Sequence, residues 1–247
     1  MKKKHMLKSI FSILLLVVCS LPMQSQKNTD SIPVPVKNER YGLRLGLDLY
    51  KITRSFYDKN YRGAEIVGDY RVYKKYYLAG EIGNENKTTD EDRLNFTTKG
   101  TYFKVGFDYN LHENWLDLEN MIHMGLRYGV SSFSQELNSY TIYNPNPYFN
   151  ENGTLDIDTK FDGLSAQWLE VVVGIKTKVV NNFFVGFSLR MNRLVSNQKP
   201  GGFDNLYIPG FNRTYSGDFG VGFNYTVSYL LPLYKKTTQP KNKEKKD

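Results

Sequence analysis

One cysteine, two tryptophans and three histidines are all that the 247-residue sequence holds of these types, and no apolar run approaches the roughly 20 residues that a membrane-crossing helix needs. The lone Cys19 excludes a disulfide framework and a cysteine zinc site. Apolar residues make up 40% and the mean hydropathy is -0.50, which excludes a bundle of transmembrane helices. No Gly-x-Ser-x-Gly elbow, phosphate-binding Gly loop or His-Glu-x-x-His motif is present, so no reaction and no cofactor or metal is indicated by motif. The formal charge of +8 is misleading as a nucleic-acid signal. It arises wholly from lysines in residues 1–25 and from Lys235 onward, and between these ends basic and acidic residues balance. No nucleic-acid partner is expected.

The two ends read as separate from the fold. Lys2, Lys3, Lys4 and Lys8 precede the apolar stretch Ile10 to Val18, and polar Gln24-Ser25-Gln26 follows, which is the layout of a secretory signal peptide over residues 1–25. Val18 before Cys19 is larger than a lipidation site prefers, so a lipid anchor is not expected. Residues 26–39, with Pro33 and Pro35, read as an extended leader. Residues 235–247 form a Lys-rich tail without an apolar anchor, expected to be disordered.

What is abundant lies between, at 40–234. Aromatic residues reach 15%, mostly Tyr and Phe, and apolar side chains recur at every second position, the signature of strands. Eight such segments can be traced, beginning near Tyr41, Ala64, Tyr76, Phe103, Ile122, Leu169, Phe183 and Phe219. Short and long connections take turns, with tight links at Lys74-Lys75 and 179–182 and longer ones at 54–61, 84–95, 135–165 and 197–213. The pattern predicts an all-β fold, an eight-stranded antiparallel up-and-down transmembrane β-barrel with its longer loops on one rim.

A soluble barrel would put the apolar face inward instead. Against it, the polar face is rich in Gly, including Gly106, Gly125, Gly129 and Gly174, and Gly makes room in a narrow interior while weakening an exterior strand. The charges on that face are also nearly balanced, as buried charges must be. The predicted interior network comprises Arg44, Asp48, Glu65, Asp69, Arg71, Glu81, Lys104, Asp108, His123, Arg127, Glu170, Lys176, Arg190 and Asp218. Arg127 and Arg190 are expected to pair with interior carboxylates. Aromatic girdles are expected at both ends, with Tyr41, Tyr73, Tyr76, Tyr77, Tyr109, Trp115, Phe183 and Tyr229 at one and Phe56, Tyr57, Tyr61, Phe96, Phe133, Trp168 and Tyr215 at the other.

The signal peptide ending at Ser25-Gln26 and the final strand Gly220 to Tyr229 carry a resemblance to small outer-membrane β-barrel proteins of the Bacteroidota type, an uncharacterised family. The resemblance implies an outer-membrane location, lipid as the surrounding partner, and recognition of the last strand by the barrel-insertion machinery. A monomer is expected. The favoured reading is a non-enzymatic protein that stabilises the membrane or presents loops. Two alternatives are a small-ligand transporter or channel, and a membrane enzyme using His123 as a base with Ser131 or Ser134 on the same strand.

Overall fold

The protein is described from a computed structural model, which defines residues 37–112, 119–141, 154–201, 204–214 and 218–238. The expected signal peptide, most of the expected leader, Trp115, Tyr215, and the residues beyond Thr238 lie outside the described residues. The elements are β1 (Lys37–Asp48), α1 (Leu49–Tyr57), β2 (Tyr61–Tyr73), β3 (Tyr76–Glu91), β4 (Leu94–Asn110), β5 (Met121–Thr141), β6 (Thr154–Val180), β7 (Phe183–Asn197), β8 (Tyr207–Ile208), β9 (Asn212–Arg213) and β10 (Phe219–Thr238). Strands β1 to β7 and β10 form one closed barrel, each pairing antiparallel with its neighbours, and β10 closes onto β1. The short β8–β9 hairpin stands apart as a two-stranded sheet.

Alternation sets the two faces. Along β5, His123, Gly125, Arg127 and Gly129 are buried, while Ile122, Met124, Leu126, Tyr128 and Val130 between them are exposed. The same order holds around the ring, with Leu45, Ile66, Leu78, Phe103, Val173, Leu189 and Val221 outward on the other seven strands. Gly129 shows why the inner face needs glycine: a Cβ there would come 2.7 Å from the indole Nε1 of Trp168 on the paired strand.

The strands outrun the segments visible in the sequence, and several expectations are corrected. The expected loop at 84–95 is a continuous hairpin down to Glu91↔Leu94. The expected loop at 135–165 begins with β5 continuing to Thr141 and ends with β6 from Thr154. Beyond the apolar belt both faces are polar, so hydrophobic alternation stops while the backbone ladder continues, helped by contacts such as Thr88 with Thr97 at 2.9 Å. The barrel bounds of 40–234 also widen. Pairing of β1 with β10 runs to Lys37↔Thr238, so Glu39 from the leader and Lys235 and Lys236 from the expected disordered tail are strand residues. Helix α1 begins ahead of the 54–61 connection, at Leu49, and takes up its first half, and its N-cap Asp48 accepts from Tyr50 N at 2.8 Å.

Candidate functional site

The lumen is the place where chemistry-bearing side chains converge, and its middle is built by β3 to β7. Glu81 on β3 accepts from Lys104 Nζ at 2.9 Å and from Arg190 Nη1 at 2.6 Å, and Arg127 Nε lies 3.6 Å away. Arg190 Nη1 also reaches Glu170 at 2.7 Å, and Arg127 Nη2 lies 2.8 Å from Asp108. All of these side chains are buried. Toward the end carrying the termini, Asp69 is held by Arg44 at 2.7 Å and Lys176 at 2.6 Å. Each carboxylate has a cationic neighbour, the arrangement that makes a charged interior tolerable, because an isolated buried charge costs several kcal/mol.

Two of the expected network members, Asp218 and Arg71, sit differently, and His123 lies inside as expected. Asp218 is exposed, with φ +63° at the turn before β10, where the strand alternation has not yet begun. Arg71 is only half-buried and pairs with Glu39 at 2.9 Å near the end carrying the termini, away from the central cluster. His123 is buried beside Asp108, with Nε2 4.0 Å from the carboxylate, too long for a hydrogen bond. Ser131 and Ser134 donate to the carbonyls of Thr101 and Lys99, so neither is held by the imidazole as a nucleophile would be. Among the described residues no three His, Cys, Asp or Glu side chains converge as a metal site.

Sequence reading missed the mouth of the lumen, opposite the end carrying the termini. Helix α1 turns Lys51 inward, where it pairs with Glu85 and lies 3.6 Å from Glu65. Glu85 also accepts from Tyr207 Oη at 2.6 Å and from Gly210 N at 3.3 Å, tying the β8–β9 segment to the wall. Glu65 accepts from Tyr102 and Asn224, and Asn224 also bonds Asp48. Asp48 is thus both a lumen carboxylate and the helix cap. The signal that could have found α1 was Asp48 ahead of Leu49, Ile52 and Phe56, a capping residue followed by helical spacing.

The rest of the mouth is apolar. Ile208 and Phe211, carried by the β8–β9 hairpin, pack with Tyr102, Phe133, Leu164, Ala166 and Trp168 in one buried cluster. Phe211 meets Trp168 edge-on at 5.9 Å between ring centroids. Gly210, at φ +81°, brings the hairpin against the Tyr102 ring. This corrects the expected outer girdle: Tyr61, Phe96, Phe133 and Trp168 are buried, and only Phe56 and Tyr57 of the described members are fully exposed. Trp168 shares the inward parity of Ala166 and Glu170 and pairs with inward Gly129, so plain alternation along β6 puts the indole on the inner face; the bulge in this stretch falls on β7, at Val195. At the other end Tyr41 is likewise buried, beside the bulge at Tyr41 and Gly42, while Tyr73, Tyr76, Phe183 and Tyr229 are exposed.

Comparison with known proteins adds little beyond this geometry. No curated protein matches the chain. Among solved structures, similarity is found to Ail, the attachment invasion locus protein of Yersinia pestis, at 12% identity and a TM-score of 0.39, covering 77% of this chain and 97% of that one. Acinetobacter baumannii CarO2 is similar at 8% identity and a TM-score of 0.33, covering 79% of this chain and 100% of that one. The family match is far more extensive. It spans residues 6–236, and the chain belongs to the DUF6048 family, a domain of unknown function.

Proposed function

We propose that this protein is a non-enzymatic outer-membrane β-barrel, a closed scaffold that sits in lipid and holds its loop-end surface above the membrane. The observation that carries the reading is the inversion of its faces. Half-exposed Leu, Ile, Val, Phe and Met side chains ring all eight strands, while the paired charges lie inside. An apolar belt of this extent is suited to hydrocarbon, since water-soluble monomers rarely leave continuous apolar patches beyond a few hundred Å². The export signal expected from residues 1–25 supports the same location. Lipids are then its constant partners, the insertion machinery acts on it during assembly, and the working form is a monomer.

The lumen supports a barrel that does not conduct. A cavity of about 30 Å³ between Asp69, His123, Arg127, Lys176 and Arg190 has room for one or two waters. An eight-stranded barrel is wide enough for its own side chains or one small ligand, and aqueous channels take about 16 strands. The transporter alternative requires a ligand to cross this packed interior and pass Trp168 and Phe211 at the mouth, and the enzyme alternative requires a substrate to fit beside His123 in the same small cavity. The test is fractionation of cells followed by planar-bilayer recording. Recovery in the outer membrane, release only by detergent and the absence of unit conductance are expected. A detergent-free soluble monomer would overturn the membrane reading, and reproducible salt-dependent current steps would favour transport.

A further inference from the structure

One part of the barrel wall is not sheet. Strand β1 pairs with β10 only as far as Asp48↔Thr226 and with β2 only over Leu43–Leu47, yet β10 continues to Phe219 and β2 begins at Tyr61. Above Asp48 the edges of β10 and β2 are therefore bridged by helix α1. Its anchors are side chains instead of a backbone ladder. Thr53 bonds Tyr225, the Tyr50 ring lies 4.6 Å from Phe223, and Ser55 Oγ accepts from Gly63 N at 2.9 Å.

A cavity of about 460 Å³ lies at this seam, within the roughly 300–1,000 Å³ span of small-molecule sites. Buried Phe96 and Tyr207 line it, and so do Val221 and Phe223, which are 60% and 44% exposed on the outward row of β10. Its lining thus joins inner-face residues of the mouth to the outward row of β10. Arg54, Lys87 and Arg213 border it. Asp58 is shared by Arg54 at 3.2 Å and Lys87 at 3.1 Å, and Glu91 lies 3.5 Å from the well-exposed Arg213. Three cations facing two carboxylates leave one positive charge over. Phe56 and Tyr57, 86% and 71% exposed, project from the end of α1, as aromatic side chains do at a lipid–water interface.

We infer that this seam is a lateral binding site for one anionic lipid, its headgroup against Arg54, Lys87 and Arg213 and the start of its acyl chain along Val221 and Phe223. The inference rests on the outer-membrane reading. A water-soluble ligand would have no use for the outward half of the cavity, and a neutral lipid would leave the extra charge unmatched.

Native mass spectrometry of the detergent-purified full chain tests it, with phosphatidylglycerol, phosphatidylcholine and inorganic phosphate as separate probes. One phosphatidylglycerol per barrel should be retained, at about tenfold lower concentration than phosphatidylcholine. Arg213→Glu, at an exposed side chain, should weaken that retention by about tenfold. Gly222→Leu should abolish it by filling the cavity, whereas Gly222→Ala should keep it, since its Cβ meets only the Asn212 side chain at 3.3 Å. Equal retention of the two lipids, or displacement of phosphatidylglycerol by matched inorganic phosphate, would overturn the proposal. So would unchanged retention in Arg213→Glu, which remains decisive if Gly222→Leu does not fold. Heat-dependent gel mobility and detergent dependence, read on the same samples, report the barrel reading separately.

Discussion

The middle of the lumen and its mouth are two interiors in one barrel, solved by different physics. In the middle, Glu81, Lys104, Arg190 and Glu170 exclude space with charges of opposite sign held close together. At the mouth, Trp168, Phe133, Ile208 and Phe211 exclude it with apolar volume, as in a soluble protein's core. The difference follows from what each region has to work with. In the middle, the wall alone supplies the side chains, and long charged residues on facing strands can span the narrow lumen. At the mouth, the chain between β7 and β10 folds back, and its hairpin adds Ile208 and Phe211 to the apolar residues that β4, β5 and β6 turn inward. A charged interior is intolerant of losing one partner, whereas an apolar plug can relax.

That contrast can be broken experimentally. Arg190→Met should have the largest effect, about 3–5 kcal/mol, because Glu81 and Glu170 both lose a close partner while buried. Denaturant titration in detergent measures it, and an unmoved midpoint would mean that water in the lumen already screens these charges. Trp168→Ala should follow at about 3 kcal/mol, the low end for a large aromatic, because the plug can partly collapse into the space. Its effect should be regional: proteolysis should increase within 198–214, and the shift in midpoint should be smaller than for Arg190→Met.

Gly129→Ala sharpens the same comparison from the wall side. Its new Cβ would press on the Trp168 indole, at a cost of about 1–3 kcal/mol, and the plug should loosen as in Trp168→Ala. The smallest effect belongs to the rim. Asp58 is partly desolvated, which raises its pKa, but bonds from Lys87 and Arg54 outweigh this and hold it below the usual carboxylate range. A folded-state pKa lowered in this way contributes stability above the ordinary value, and the contribution is lost as pH falls through that value toward the lower one. Asp58→Asn should therefore cost less than about 1 kcal/mol at neutral pH and nothing extra in acid. Hydrogen exchange in α1 is the appropriate readout.

Legibility in the sequence also divided along this line. Within the apolar belt, alternation on β5 and β7 is enough to read both faces, and Arg127 and Arg190 are found inward from parity alone. Parity with Glu170 also turns Trp168 inward, away from the expected girdle, whereas Tyr41 departs from the outward parity of Leu43 and Leu45 beside a register shift against β10. Parity is silent where both faces are polar, which hid the upper parts of β3, β4, β5 and β6. Lys51 and Glu85 were missed for a further reason: one lies in an unrecognised helix and the other in an expected loop, and neither position is marked by hydrophobic period.

The sequence by itself determined the strand-by-strand alternation, the choice of an up-and-down barrel and the identity of most lumen charges, because side-chain direction in a strand has period two and is a local property. Only the tertiary structure decided which cation meets which carboxylate, that α1 takes over the wall where β1 stops, and that the β8–β9 hairpin turns inward to close the mouth. Those outcomes depend on the register between strands distant in sequence and on where bulges reset it. Glu81 and Arg190, 109 positions apart, are brought together only by that register.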